Sequence, residues 1–350
     1  MRVLNVGNFH YARQAQLHYV MCRKLSNGLV ANGHHVYNFD DRLMARMTNF
    51  IRTRSVGARR VNKSFIECCL TFQPDLILLN FADLIDIETI ETVKSLLPQT
   101  RLANVFLDPL DSRRNRKRVE TYGKVVDASF LTTAGDAFAE MSQKVKNLHF
   151  IPNAVDKRVE NKNVFDVTGQ PHDVFFSVGS YKGSPERVNK ALELTRWLPR
   201  ARYSFFGFSG VQPVWGEAYF KAIAEARIGL NFSRFEDHYL YTSDRISHYM
   251  GNGLLTVFDK ASGMDLFFSD EEAIFFSETE ELADKIDFYL DHDDSRRTVA
   301  KAGHDKIHAM HNVEAVCRYI VERTMALPLS QTYDWPTTPE TISPEQACTD

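Results

Sequence analysis

The feature that most constrains this chain is a repeated grammar. Short apolar or β-branched runs alternate with helical segments in the front half, and the same alternation restarts after a polar stretch near residue 157. Strands joined by helical crossovers give parallel sheets covered on both faces. In the front half RVLNVGNF reads as the first strand, apolar periodicity predicts a helix from about Arg13 to Ala31 that stops near Gly33, and HHVYNFD reads as the second strand. Further strands are expected at DLILLNF (Asp75 to Phe81), LANVFLD (Leu102 to Asp108), ASFLTT (Ala128 to Thr133) and LHFIPN (Leu148 to Asn153). The rear half offers DVFFSVGS, RYSFFGF, RIGLNFS, LLTVFD and AIFF as strands. Helices are expected at Pro185 to Trp197, near Glu217 to Ala226, and through ELADKIDFYLDH, which puts Leu282, Ile286, Tyr289 and Leu290 on one face. The expected fold class is α/β with two doubly wound parallel-sheet domains, at 1–156 and 173–327, joined by a polar linker at 157–172. The proline-rich stretch 328–350 is expected to be an irregular, disordered or wrapping tail.

With 350 residues, 44% of them hydrophobic, the chain can fill two cores. Its opening, MRVLNVGNFHYARQ, reads as a strand and turn, not as a charged segment leading into an apolar signal core. No apolar run reaches membrane-spanning length, and the five cysteines show no metal-ligand spacing. A cytoplasmic location with reduced thiols is expected. Charge is divided unevenly: residues 1–158 hold 23 Lys and Arg against 15 Asp and Glu, whereas the remainder holds 19 against 30. The basic excess concentrates in RTRSVGARRVNK (Arg52 to Lys63) and RRNRKR (Arg113 to Arg118), which are either solvated loops or contacts for anionic membrane lipid. Without interleaved aromatic side chains for base stacking, no nucleic-acid partner is expected.

The segment TSDRISHYMGNGLLTVFD, Thr242 to Asp259, runs from polar helix-opening residues through two glycines into an apolar strand. Thr242, Ser243 and Asp244 can cap a helix whose free N–H groups favour an anion, and Arg245 adds a permanent, forked cation. A nucleotide diphosphate suits such a site. The plainer alternative is a capped helix packed ahead of a core strand.

Together with SVGSYKGSPERV (Ser177 to Val188), IGLNFS (Ile228 to Ser233) and the run from DLFFSDEEAIFF to HDKIHAMH, this segment resembles the C-terminal domain of group 1, CgeB-like glycosyltransferases. The resemblance covers most of residues 173–325, while the front half is similar only in layout and in the IPNAVD hinge. It implies a GT-B architecture, two Rossmann-like domains facing across a cleft, with a nucleotide-sugar donor lying against the rear domain. By the same resemblance, Gly179 and Ser180 form a phosphate-approaching turn, Lys182 and Arg187 clamp the diphosphate, and Asn231 contacts ribose or base. The family's usual glutamates fall at His248 and at Leu240, so its paired carboxylates are missing here, and His248 offers a ribose hydroxyl a single hydrogen bond. His10, after the first strand, and Asp108, in VFLDPLD, are the candidate catalytic bases, and neither need act as base if configuration is retained.

Three other patterns carry less. Asp291 and Asp293 resemble a metal-binding Asp-x-Asp pair but lie between helices, and His304, His308 and His311 have helical ligand spacing without a clear partner. Gly7 lacks the other glycines of a dinucleotide fingerprint. The expected function is therefore metal-independent transfer of a sugar from a nucleotide-diphosphate donor, as substrate rather than cofactor, to a hydroxyl of a glycan or lipid-linked acceptor in bacterial cell-surface polysaccharide assembly. The alternatives are a sugar-nucleotide epimerase or hydrolase and a non-catalytic nucleotide-binding or scaffold protein.

Overall fold

The computed structural model describes residues 1–48, 54–181 and 185–337, with the Lys182 of the expected phosphate turn and the Arg52 of the first basic patch outside them. The described chain forms two compact units. The front unit takes in Met1–Thr132, Asp136–Pro152 and the described residues from Val313 onward; the rear unit comprises Thr133–Gly135 and Asn153–Asn312.

In the front unit β1 (Arg2–Gly7), α1 (Met21–Ala31), β2 (His35–Asp40), α2 (Asp41–Met47), α3 (Arg54–Phe72), β3 (Leu76–Asn80), α4 (Ile87–Leu96), β4 (Arg101–Phe106), α5 (Arg113–Gly123), β5 (Ala128–Leu131), α6 (Gly135–Ser142) and β6 (Leu148–Phe150) follow in order. The six strands form one sheet in the order β2-β1-β3-β4-β5-β6, and every ladder is parallel, as in Val3 beside Val36 and Leu76. Strands such as β3 are buried along their whole length because helices cover both sheet faces. The helix expected from Arg13 begins only at Met21. Gln14 and Ala15 take φ of 47° and 68°, a left-handed backbone that no right-handed helix can include, and a short 3₁₀ turn occupies Tyr11–Arg13 instead.

The rear unit runs β7 (His172–Ser177), α7 (Pro185–Trp197), β8 (Tyr203–Phe206), α8 (Glu217–Ala224), β9 (Ala226–Leu230), α9 (Arg245–Met250), β10 (Leu255–Asp259), β11 (Ile274–Phe276), α10 (Thr279–Asp291) and α11 (Asp293–Met310). Its parallel sheet has the order β11-β10-β9-β7-β8. Val174, Phe176, Ile228, Leu230 and Val257 from the strands pack with Val188, Ala191, Leu282 and Ile286 from α7 and α10 into one core. The segment read as a polar linker is packed onto this unit. Phe165 joins its core, Asp156 and Glu160 are buried, and Asn252 receives the Lys162 amide through Oδ1 at 3.1 Å and the Val164 amide through its carbonyl at 2.9 Å.

The last helix, α12 (Val313–Thr324), falls in the front unit, whereas sequence segmentation had grouped it with the rear domain. It packs on α1 at Gly28, where any Cβ would come within 2.5 Å of the Val313 carbonyl oxygen and 2.8 Å of Cys317 Sγ. Cys317 in turn donates to the Leu25 carbonyl at 3.3 Å. Amphipathic periodicity told that this helix has an apolar face but not which core that face meets. The tail has no regular structure through residue 337, yet it is pinned: Tyr333 and Trp335 are buried against Tyr319, and the Tyr333 hydroxyl donates to Glu322 at 2.7 Å. Among the described residues no helix is long and apolar enough to cross a membrane.

Candidate active site

In the rear sheet the chain runs outward from β7 to β8, then returns past β7 to β9 and continues to β11. The strand order therefore switches between β7 and β9, and open α/β sheets hold ligands at the carboxyl ends of the strands at such a point. Arg245 occupies it. Its Nε donates to the Ser177 carbonyl at the end of β7 at 3.3 Å, and its Nη1 donates to the Phe232 carbonyl just beyond β9 at 3.0 Å and to Ser243 Oγ at 2.6 Å. The guanidinium lies 5.5 Å from the centroid of the Phe176 ring. One side chain thus ties both banks of the switch point, and its Nη2 donors have no protein acceptor among the described residues. Close packing beneath it requires Gly229 in β9, since a Cβ there would meet Leu254 at 2.6 Å and Tyr249 at 2.8 Å.

Arg187, in the first turn of α7, is only 8% exposed, and its Nε finds no acceptor among the described residues. Burial, reinforced by the positive charges of Arg245 and Arg234, pushes its pKa down to about 9. A guanidinium nevertheless stays protonated in a protein. The depression therefore marks a place where positive charge is crowded and an anion would be welcome. A half-buried carboxyl nearby is Glu236, whose Oε1 accepts from the Ser233 amide at 2.7 Å. Burial raises its pKa to about 7 against the opposing pull of Lys190, so it is poised between accepting and donating a proton. Lys190 itself is held by Asp259 at 2.6 Å and lies over the Phe232 and Phe276 rings. Sequence reading singled out neither Arg234 nor Glu236. Their place directly after the IGLNFS strand, at the carboxyl edge of an open sheet, was the available signal.

The other expected donor residues divide. Asn231 and Thr242 are 3% and 4% exposed and bind each other, Nδ2 to Oγ1 at 3.0 Å, while Asn153 Nδ2 donates to the Thr242 carbonyl at 2.8 Å. They fix the loop that carries Ser243 and Arg245. Asp244 stands at the N-cap of α9 in helical backbone geometry and makes no side-chain cap, because that geometry turns its carboxyl away from the N2 and N3 amides. Ser243 directs its hydroxyl to Arg245 instead. With only six residues, α9 contributes little dipole, and fixed cations dominate the site's electrostatics. Gly179 and Ser180 lie just past β7, with Gly179 under the Trp215 ring, where a Cβ would come to 3.2 Å. His248 is 5% exposed. Its Nδ1 is 3.3 Å from the Tyr219 hydroxyl, its Nε2 is 3.8 Å from the Glu160 carboxylate, and the edges of Tyr219 and Phe220 pack against its ring.

In the front sheet His10 and Asp108 both stand past carboxyl ends, of β1 and β4. With β3 between them, those two strands run two strand spacings, roughly 10 Å, apart. His10 adopts φ 55°, and its ring nitrogen Nε2 lies 2.7 Å from Asn8 Nδ2. Burial, then Arg13 and Arg42, lower its pKa to about 4, which keeps the ring neutral at pH 7 but makes it a weak base. Asp108 is exposed ahead of Pro109. Two of the three other patterns have local partners: Asp291 pairs with Arg200 and Asp293 with Arg296, both at 2.8 Å. The His308 ring Nε2 lies 2.8 Å from the Gly251 carbonyl, and His311 is buried against Phe267 and Phe268. Among the described residues no group of three or more His, Cys, Asp or Glu side chains is gathered to hold a metal ion.

Residues 158–322 match the family model described as "Glycosyl transferase-like". No curated protein matches the chain significantly. Among solved structures, sucrose-phosphate synthase from Thermosynechococcus elongatus is similar at a TM-score of 0.60 and 12% identity, over 91% of this chain and 96% of that one. The Anabaena protein HepE in complex with UDP-glucose is similar at 0.58 and 13%, over 93% and 100%. OtsA in its apo form is similar at 0.59 and 11%, over 94% and 100%. The chain has the two-domain, Rossmann-like GT-B architecture, and its rear domain matches a glycosyltransferase-like family model.

Proposed function

We propose that this protein is a metal-independent glycosyltransferase that moves a sugar from a nucleoside diphosphate to a hydroxyl of a glycan or glycolipid precursor in bacterial cell-surface polysaccharide assembly. In this reading it lies within the CgeB-like branch and works in the cytoplasm beside the membrane. The observation that carries the reading is Arg245, fixed by the Ser177 and Phe232 carbonyls with the under-neutralised Arg187 next to it. Two guanidiniums held at a strand-order switch suit a diphosphate, and they become most useful as charge builds on the leaving group when the glycosidic bond breaks. Glu236 is placed to exchange a hydrogen bond with a donor hydroxyl. His10 and Asp108 are the proton acceptors if the reaction inverts configuration, and neither is required if it retains. HepE, as solved with UDP-glucose, favours a uridine donor for this chain as well.

A thermal-shift screen against UDP, GDP, ADP, CMP and dTDP sugars tests the reading. Ligand at about 100 times its Kd stabilises by about 2.7 kcal/mol, which raises Tm by several degrees. One nucleotide class should stand out, and a flat response to all five would sink the proposal. Nucleotide release measured with and without acceptor separates transfer from hydrolysis or epimerisation.

A further inference from the structure

A cavity of about 130 Å³ opens in the front unit between the ends of β1 and β2, lined by Asn8, His10, Arg13, Asp40, Arg42 and Arg46. That room admits a phosphoryl group together with ordered water. Three guanidiniums face one carboxylate on its wall. Arg42 is paired with Asp83, but its buried Nε has no acceptor, and no carboxylate among the described residues pairs with Arg13 or Arg46. The turn that carries His10 and Arg13 is anchored. Phe9 is fully buried, its carbonyl accepts from Arg23 Nε at 3.4 Å, and Arg23 lies 4.7 Å from the Tyr11 ring centroid. Asp40 is buried, with Oδ1 taken by the Leu43 amide at 2.8 Å, leaving its other oxygen able to accept from a hydroxyl.

We infer that this cavity binds a phosphomonoester on the acceptor, with Arg13, Arg42 and Arg46 around the phosphoryl oxygens and Asp40 accepting from a neighbouring sugar hydroxyl. The inference deepens the transferase reading above and rests on it for the word acceptor, but the anion site itself stands on the front unit alone. Forked guanidiniums fit phosphoryl oxygens better than a single carboxylate. A neutral His10 adds no charge to the three guanidiniums. The phosphate arrives either on a soluble sugar or on a lipid headgroup.

The full-length protein and its R13A/R46A variant are titrated calorimetrically with a hexose 6-phosphate, with unphosphorylated hexose, and with UDP. Sedimentation with phosphatidylcholine vesicles, plain or doped with phosphatidic acid, supplies the lipid arm. Two charge-assisted hydrogen bonds lost should weaken phosphomonoester binding about a hundredfold while UDP binding is unchanged. Arginine-dependent binding of the hexose phosphate or of the doped vesicles supports the site and names its source. Equal phosphate affinity in wild type and variant, or no binding by wild type of either probe, overturns it. If arginine-dependent phosphate binding appears but UDP does not bind, this inference survives and the transferase reading falls.

Discussion

At the carboxyl edge of the rear sheet Arg245 is held by two backbone carbonyls and a serine, with Arg187 buried beside it; at the matching edge of the front sheet Arg13 and Arg46 reach into an open cavity without a carboxylate partner. Both sites hold more guanidiniums than carboxylates, yet they differ in rigidity. A guanidinium already fixed loses little freedom when an anion arrives, so its binding energy remains available for charge that develops during reaction. A loose guanidinium must be ordered on binding, which lowers affinity but tolerates ligands of varied shape. If the two bind anions as proposed, rigidity suits the rear site to chemistry and looseness suits the front one to recognition.

The largest test of this contrast is Arg245→Ala, which should cut donor turnover by about 10²–10³-fold while circular dichroism stays native. Near-normal turnover would remove Arg245 from the site. Arg187→Met comes next. It removes a crowded buried charge and keeps the volume, so the ligand-free Tm should rise by a few degrees while UDP binding weakens about 10–100-fold. A Tm and an affinity that fall together would mean that Arg187 is structural.

Opposite pH responses offer a third test. Glu236 has its pKa raised from 4.5 to about 7, so its contribution to stability is complete below pH 4.5 and lost as pH rises through 7. His10 has its pKa lowered from 6.5 to about 4, so its contribution is complete above pH 6.5 and lost as pH falls through 4. Each should amount to on the order of 1–2 kcal/mol once partial exposure is discounted. Melting curves of Glu236→Gln and His10→Gln between those limits should lose the alkaline and the acid slope respectively, and unchanged slopes would refute the assignments. The smallest effect concerns α5. There Arg116 pairs with Glu140 and Arg118 with Asp83, leaving Arg113, Arg114 and Lys117 exposed. Neutralising those three should weaken sedimentation with anionic vesicles by up to about 1 kcal/mol for each charge at physiological salt and leave turnover alone. Identical sedimentation would exclude a membrane role for that helix.

What the sequence disclosed follows from what is local. Apolar runs such as DLILLNF and LLTVFD located strands because burial on both sheet faces leaves an unbroken hydrophobic signature. Arg187 and Arg245 stood out because each lies in the first turn of a helix that comes after an apolar strand. Glu236 was not, since nothing within SRFEDHYL shows that its carboxyl will be half-buried near Lys190 and Asp259. The front cavity was equally invisible, because His10 and Arg13 meet Arg42 and Arg46 only once β1 and β2 pair. The helix predicted from Arg13 failed on backbone angles at Gln14 and Ala15 that their residue types do not announce.

The docking of α12 against Gly28 governs the order in which the polypeptide can mature. During synthesis the front sheet emerges early, but the partner for the outer side of α1 leaves the ribosome only after the intervening stretch from Asn153 to Asn312. At translation speeds of about 5–20 residues per second that delay lasts roughly 10–30 s. Through that interval the nascent chain carries an uncovered apolar flank while its later lobe is already able to assemble, so a premature stop near Asn312 leaves a product with a finished rear and an unsealed front.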